Sequence, residues 1–246
     1  MIKLLLFAIF IIASSFTIYN ICALYVFATE RKKISVGTKS ILFGAHCFFL
    51  HPWFVLAAWI KLFGIKSLSL PIFVSFFVHD LGYWGAPNMD GDEGELHPYL
   101  GARIMHYLFD KRDSRWTIFS KGEKFYTSKY WYNFSLFHSR FLAKKNGEHY
   151  SKLCVADKYA ICLTPSWLYV PMATATGEIK EYMKDFENSN YTSPTFEGKR
   201  KFDSRYEWHK AVKKYVKTWI DEHKDMKQDT WTPISRKPIN KEGVWE

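Results

Sequence analysis

The longest apolar stretch of the chain lies at its N-terminal end. Residues 4–28 contain no charged side chain, and about 20 apolar residues in a helix are enough to cross a bilayer core. Arg31, Lys32 and Lys33 follow almost directly, and basic residues favour the cytoplasmic side of a span. The pattern therefore predicts an N-terminal membrane anchor over residues 1–30, with a single span and a cytoplasmic C-terminal domain.

Two other interpretations of this stretch stay open. It would be a cleaved signal peptide if processing occurred before Thr29, or a helix buried in a soluble core. A second apolar region, residues 41–65, also resembles a span by hydropathy, but it carries His46, His51 and Lys61. Because ionisable groups are rare inside membrane segments, we predict that this region is a buried helix or one that lies along the membrane interface.

The next apolar runs have the spacing of helices. The run "HPWFVLAAWIKLFG" predicts a helix that begins at His51 and ends at Gly64. Its predicted apolar face consists of Trp53, Leu56, Ala57 and Ile60. The run "SLPIFVSFFVHD" predicts a buried helix that opens with Pro71. "GYWGAPNMDGDEGEL" is then a loop, because it is rich in Gly, Pro and Asp.

The rest of the chain also shows helical patterns. The run "HPYLGARIMHYLFD" has helical spacing at Leu100, Ile104, Tyr107 and Leu108. Further helices are predicted for about residues 126–144 and 150–164, the second ending at Pro165. The run "SRYEWHKAVKKYVKTWIDEHKD" predicts an amphipathic helix whose apolar face consists of Trp208, Val212, Tyr215, Val216 and Trp219. We expect this helix to pack on the main domain, and the membrane surface is the alternative.

These patterns predict an all-α fold with three parts. The anchor at 1–30 precedes a helical domain at 31–177, and residues 178–246 form a basic, aromatic C-terminal extension that packs on that domain. The chain has 246 residues, of which 48% are hydrophobic and 19% aromatic, and so high an aromatic content is typical of neither a disordered protein nor a coiled coil.

Charge and cysteine content narrow the possible partners and the compartment. A formal net charge of +10 favours anionic partners such as phosphorylated substrates, nucleic acid or an acidic membrane surface. The four cysteines show no C-x-x-C pair, and they are Cys22, Cys47, Cys154 and Cys162. We therefore predict free thiols in a reducing compartment.

Histidine and aspartate residues recur in apolar settings along the chain. In order they are His51, His79, Asp80, His97, His138 and Asp157. Burial of such groups is tolerated mainly when they are paired, hydrogen-bonded or bound to a metal. Mixed imidazole and carboxylate ligands suit Mn, Fe, Ni or Zn better than Ca or Mg. The set therefore predicts a site for a divalent transition metal.

This pattern resembles the HD-domain superfamily of metal-dependent phosphohydrolases, an all-helical fold named for its adjacent His and Asp. The resemblance covers about residues 41–165. It implies that one ion is held by a first His, the His-Asp pair and a later Asp, which here are His51, His79, Asp80 and Asp157. Members with two ions add two histidines between the pair and the last Asp. His97 and His138 fit those places, and Asp80 would bridge the two ions.

Two positions distinguish this chain from that pattern. Many two-metal members read His-Asp-x-Gly-Lys, whereas this chain has "HDLGYWG", so Tyr83 stands where a phosphate-contacting Lys is expected. The first ligand has two candidates, because His46 lies shortly before His51. Val55 and Ala58 follow His51 much as small apolar residues follow the first ligand in family members, and this favours His51.

Other residues near the proposed ligands are candidates for contact with substrate or for proton transfer. Arg140 and Lys158 each lie within two positions of a proposed ligand and could neutralise phosphate oxygens. Glu93 and Glu95 precede His97 and are candidates for a ligand, a general acid or base, or a partner that orients a His. The predicted catalytic set is Asp80, Glu95 and Lys158, and the predicted substrate-binding set is Arg140, Lys158 and Tyr83.

The sequence thus predicts a membrane-anchored hydrolase that uses two divalent transition metals to cleave a small phosphorylated substrate, such as a nucleotide or cyclic nucleotide. A nucleic acid substrate is not favoured. Two alternatives stay open. The same ligand order would suit a di-iron enzyme that activates oxygen, and it would suit a metal-binding regulatory module without activity.

Overall fold

The computed structural model describes residues 34–110, 129–188 and 201–223, which form α-helices, short 3-10 helices and turns without any strand. The predicted all-helical class is therefore confirmed for this part of the chain. No helix within these ranges is long and apolar enough to cross a membrane. The predicted anchor at residues 1–30 lies outside the described residues and stays a prediction.

Ten α-helices follow one another along the described ranges. They are α1 (Val36–Phe43), α2 (His51–Phe63), α3 (Leu70–Val78), α4 (Pro98–Met105), α5 (Tyr130–Leu136), α6 (Arg140–Lys145), α7 (Lys152–Leu163), α8 (Ser166–Thr176), α9 (Glu178–Asn188) and α10 (Arg205–His223). Short 3-10 helices lie at Ile65–Ser67, Leu81–Tyr83 and Gly94–Leu96, and a π-helical turn at His106–Asp110 continues α4.

The core is centred on the packing of α2 against α7. Val55 and Ala58 of α2 share one buried cluster with Leu153, Ala156 and Ala160 of α7. Side chains from α3, α4, α5, α6 and α10 join the same cluster. One continuous apolar core therefore holds the helices whose ends carry the predicted ligands.

The buried face of α2 differs from the predicted one. As expected, the helix begins at His51 with Pro52 in its first turn, and Gly64 caps its end with a φ of 79°. Its buried residues are His51, Pro52, Val55, Ala58 and Trp59, whereas Trp53 and Ile60 of the predicted face are exposed. That prediction was wrong because nearly every position of α2 is apolar, so the spacing fits more than one face.

The large apolar residues that give the run 97–110 its helical spacing are not the ones that α4 buries. The exposed side chains include Leu100, Tyr107 and Leu108, and the buried residues of α4 are Pro98, Gly101, Ala102 and Met105. A Cβ atom on Gly101 would lie only 2.5 Å from the carbonyl oxygen of Val78 at the end of α3. Small residues thus let α4 approach the turn after α3. Because small side chains contribute little to an apolar pattern, the sequence does not mark this packed face.

The helix predicted for residues 126–144 is broken in two by a turn at His138. Helix α5 ends at Leu136, and Ser139 caps α6 by accepting a hydrogen bond from the backbone N–H of Leu142 at 3.2 Å. The start of α5 is held by the buried Asp110, whose carboxylate accepts backbone hydrogen bonds from this helix at 2.8 and 3.0 Å. The helix predicted for 150–164 is observed as α7.

The C-terminal helix packs on the main domain. Val216, Trp219 and Ile220 of α10 belong to the central core, and Trp208 packs in a second cluster with residues of α8 and α9. The predicted domain boundary at residue 177 falls between α8 and α9. Glu178, the first residue beyond it, is fully buried and bonded to residues of α1 and the turn after it.

Candidate metal centre

Six polar side chains converge beside the core. Five of them lie at helix ends, and the sixth projects from α7. His51 is the first residue of α2, His79 and Asp80 follow α3, His97 precedes α4, His138 follows α5, and Asp157 lies within α7. These are the six residues that the sequence predicted as ligands, and the structure brings them together from positions far apart in the chain.

Four of these side chains form a first group around one point. Donor atoms of His51, His79, Asp80 and Asp157 all lie within 4.8 Å of one another. His51 Nε2 is 2.8 Å from Asp157 Oδ1, and His79 Nε2 is 3.0 Å from Asp80 Oδ2. Two donors bound at right angles, each about 2.1 Å from one ion, are about 3 Å apart. These spacings therefore suit a shared ion.

A second group shares Asp80 with the first. Donor atoms of Asp80, His97 and His138 lie within 4.8 Å of one another. Asp80 Oδ1 is 3.7 Å from His97 Nε2 and 3.6 Å from His138 Nε2, whereas Asp80 Oδ2 faces His51 Nε2 at 3.4 Å. One oxygen of this carboxylate thus faces each group. The cluster could hold one ion or two.

Backbone hydrogen bonds fix the orientation of three imidazole rings. The Nδ1 atoms of His79, His97 and His138 lie 3.0, 2.6 and 2.5 Å from the carbonyl oxygens of Phe76, Gly94 and Ser135. A carbonyl only accepts, so each Nδ1 carries the proton and donates it, and Nε2 is left to face the cluster. Hydrogen bonding at the second ring nitrogen is the usual support of a metal-ligating histidine.

The Nε2 atoms then face one another without an evident partner. His97 Nε2 and His138 Nε2 are 3.1 Å apart, and with both Nδ1 protons donated elsewhere, neither neutral ring has a proton for the other. His79 Nε2 and Asp80 Oδ2 are buried and lack a hydrogen-bond partner. Because buried polar groups are normally satisfied, this set of inward-facing nitrogen and oxygen atoms fits a cation at its centre.

Electrostatics within the cluster favour a negative carboxylate pair. Burial alone would raise the pKa of Asp80, but the neighbouring His79 and His46 hold it well below its usual range. Burial likewise opposes ionisation of Asp157, yet the hydrogen bond with His51 and the nearby imidazole of His79 keep its pKa well below normal. Two buried, ionised carboxylates attract cations, whether protons or metal ions.

The surroundings shift the pKa values of His79 and His97 in opposite directions. Burial alone would lower the pKa of His79, but Asp80 and Asp157 raise it to about 10. Burial and the neighbouring His138 hold the pKa of His97 well below its usual range. His97 therefore keeps its Nε2 lone pair at neutral pH, whereas His79 would have to give up a proton to act as a metal ligand.

His46, the other candidate for the first ligand, lies outside both groups. Its Nδ1 is 2.9 Å from Ser40 Oγ and 3.6 Å from Glu178 Oε2, and its ring centroid is 5.6 Å from that of His51. Burial would lower the pKa of His46, but Asp80 and Glu178 raise it to about 9. Of the two histidines, His51 is the one whose donor atom lies in the cluster.

Glu178 is a buried ionisable group that the sequence did not single out. Its carboxylate is fully buried and accepts hydrogen bonds from Ser40 Oγ at 2.5 Å, the backbone N–H of Ala45 at 2.7 Å and Thr176 Oγ1 at 2.8 Å. Tyr182 donates a fourth bond at 3.2 Å. These partners lie as far as 138 positions away in the chain, so only a prediction of tertiary contacts could have revealed the site.

Tyr83, predicted to bind substrate, is buried against the ligands. Its ring stacks on that of His97, with centroids 3.8 Å apart and planes 12° from parallel, and it also lies 4.8 Å from the ring of His46. Gly82 makes this approach possible, because a Cβ atom there would overlap the backbone of His97. Tyr83 therefore fixes the ring of a candidate ligand.

The remaining predicted site residues lie around the cluster and outside both donor groups. Glu95 is half-buried in the 3-10 helix before His97, and Lys158 is half-buried next to Asp157 on α7. The guanidinium of Arg140 lies 5.4 Å from the centre of the Trp219 ring of α10. Their roles in catalysis or substrate binding stay predictions.

No protein-family model, curated protein or solved structure matches the chain. What the described residues define by themselves is an all-helical protein with a buried His/Asp cluster that could hold one or more metal ions.

Proposed function

We propose that the chain is an HD-type phosphohydrolase that cleaves a phosphoester at a two-metal centre. The observation that carries this proposal is the sharing of Asp80 between the two donor groups, with Oδ2 directed to His51 and His79 and Oδ1 to His97 and His138. A carboxylate with one oxygen toward each of two donor groups suits a pair of adjacent ions.

The chain supplies four donors to one group and three to the other. Fewer than six protein donors at each position leave room for water and for substrate oxygens. When bound, two adjacent ions lower the pKa of a shared water and stabilise charge on the oxygens of a phosphoester. The histidines and Asp80 would hold those ions in place and exclude bulk water, because their side chains are almost fully buried.

An anionic substrate would approach from the side of Asp157. Its side chain is 22% exposed, whereas those of His51, His79 and Asp80 are at most 8% exposed. Lys158 follows Asp157 directly on α7, and in our proposal it neutralises a phosphate oxygen that reaches this edge. The net charge of +10 would draw anions toward the protein from solution.

The half-buried Glu95 would complete the chemistry as a general acid or base. It lies two positions before His97 in the short helix that presents this ligand. Tyr83 would contribute indirectly in this scheme, because its stacked ring orients His97.

The test is hydrolysis by the full chain in detergent after removal of metals and separate reloading with Mn, Fe, Ni or Zn. The substrates are p-nitrophenyl phosphate, bis(p-nitrophenyl) phosphate, nucleotides and cyclic nucleotides. We expect metal-dependent release of product that falls by at least about a hundredfold in Asp80→Ala. His149→Ala is the matched control, because His149 is exposed and belongs to neither donor group.

Two outcomes would contradict the proposal. If the metal-loaded protein hydrolyses none of these substrates, the remaining interpretation is a metal-binding module without hydrolase activity. Turnover that requires iron and consumes O₂ would instead indicate an oxygenase built on the same ligands.

A further inference from the structure

One side of the α2–α3 hairpin is an exposed apolar surface. We call it the hairpin face, and it consists of the exposed Trp53, Ile60, Ile65 and Leu70 together with Phe73 and Phe77, which are half-buried and also pack against the core. The first four of these side chains are exposed to 52%, 37%, 60% and 65%. The sequence pattern had assigned Trp53 and Ile60 to the packed side of α2, whereas the structure turns them outward. Large apolar patches on a protein surface usually mark an interaction site.

The hairpin face has apolar side chains at both ends of α2. The ring of Trp53 lies 5.5 Å from that of Phe77 and 6.3 Å from that of Phe73, so the start of α2 meets α3. Ile65 and Leu70 lie at the opposite end, on either side of the turn between the helices. With a rise of about 1.5 Å per residue, the face is about 18 Å long.

The charged residues of the hairpin indicate what kind of partner the hairpin face would bind. Residues 51–78 contain Lys61 and Lys66 and no acidic residue, and both lysines are exposed. Apolar side chains bordered by lysines are typical of segments that lie in the headgroup region of an anionic bilayer. Acidic side chains, which anionic lipids would repel, are concentrated elsewhere, beginning with the loop after Asp80.

The chain before α1 limits how far the domain can stand from a membrane. The apolar segment 4–28 ends close to Ser35, which caps α1. Residues 29–35 span at most about 25 Å when fully extended. If the segment is the predicted anchor, some surface of the domain must therefore lie near the bilayer, and the hairpin face is suited to contact it.

We propose that the hairpin face docks on an anionic lipid bilayer, with the tip at Ile65 and Leu70 inserted into the headgroup region and Lys66 near lipid phosphates. The contact orients the domain on the membrane and is independent of the chemistry at the metal centre.

The experiment is site-specific photocrosslinking of the full chain in bilayer discs of phosphatidylcholine and phosphatidylserine. The photoreactive residue p-benzoylphenylalanine replaces Leu70 in one variant and Trp53 in another. The control carries it at Trp167, which is 71% exposed and follows the C-terminal end of α7. The hairpin turn lies near the other end of α7, where Lys152 Nζ is 5.2 Å from the centre of the Phe63 ring.

We expect lipid adducts at positions 53 and 70 in at least about fivefold higher yield than at 167. Leu70→Glu, in protein labelled at position 53, should lower the adduct yield at least about threefold, and Trp167→Glu should leave it unchanged. Adducts that join the hairpin to a second copy of the chain, or to residues 1–33, would overturn the proposal. Equal lipid yields at all three positions would overturn it as well.

Discussion

Replacement of Glu178 by Gln tests the buried network beside the metal centre. The carboxylate accepts four hydrogen bonds at 2.5–3.2 Å and lies 3.6 Å from His46 Nδ1. Gln keeps the shape but removes the charge, and it turns one acceptor into a donor that faces the hydroxyl groups of Ser40 or Tyr182. Breaking a buried, hydrogen-bonded charge pair costs about 3–5 kcal/mol, and partial rearrangement leaves an expected loss of about 3 kcal/mol in the free energy of unfolding.

The loss should depend on pH in a defined direction. The pKa of His46 is raised from 6.5 to about 9 in the folded chain, so its protonation stabilises the fold fully below pH 6.5. This contribution disappears as the pH rises through about 9. One pKa unit is worth about 1.4 kcal/mol, and Asp80 shares the effect with Glu178. The penalty of Glu178→Gln should therefore be about 1 kcal/mol larger at pH 6 than at pH 9.5.

Urea unfolding of the full chain in detergent, followed by tryptophan fluorescence at both pH values, measures this difference. Glu148→Gln is the control, because it makes the same chemical change at an exposed position. A penalty below about 1 kcal/mol at pH 6, or one that does not decrease at high pH, would refute the assignment of Glu178 as a buried anion paired with His46.

Three further predictions concern the cluster and the contacts that shape it. Gly101→Ala places a Cβ atom 2.5 Å from a backbone oxygen and should lower the free energy of unfolding by about 2–3 kcal/mol, and an unchanged urea midpoint would contradict this. Tyr83→Leu removes the ring stacked on His97 and should weaken one of two metal-binding events by about tenfold in calorimetry, whereas Trp84→Leu, at an exposed neighbour, should not. Because the pKa of His79 is raised to about 10 in the metal-free chain, metal binding should release a proton below that pH. Affinity should then increase by about tenfold per pH unit from pH 6 to 8, and calorimetry in buffers of different ionisation enthalpy measures the released proton.

The candidate ligands could be found from sequence because each sits in an unfavourable setting. His79 and Asp80 end a long apolar run, and His51, His97 and His138 also fall at the borders of helices or turns. Helix ends can be recognised from Pro, Gly and capping residues. Because burying polar groups costs free energy, their occurrence in apolar settings indicates a common function, which we predict to be metal binding.

Helix faces were harder to predict because the apolar pattern is nearly continuous. In α2 the exposed Trp53 and the buried Trp59 look alike in sequence, and the packed side is defined by contacts of Val55, Ala58 and Trp59 in the core. In α4 the packed side is marked by Gly101 and Ala102, which carry almost no hydrophobic signal. Tertiary contact decided both orientations.

Glu178 could not have been found by local pattern. It follows Gly177 in a charged stretch that resembles a solvated surface helix, and its partners Ser40 and Ala45 precede it by more than 130 positions. Burial of this carboxylate depends on the packing of α8 and α9 against α1, and a local sequence pattern does not encode such tertiary packing.

The central claim is that Asp80 is shared by two metal positions. Metal analysis of the purified full chain in detergent tests it most directly, by counting bound ions per chain in the parent, Asp80→Ala and His138→Ala after loading with Mn, Fe, Ni or Zn. The account predicts about two ions in the parent, none or few in Asp80→Ala, and about one in His138→Ala. A parent chain without stoichiometric metal under every loading condition would contradict it.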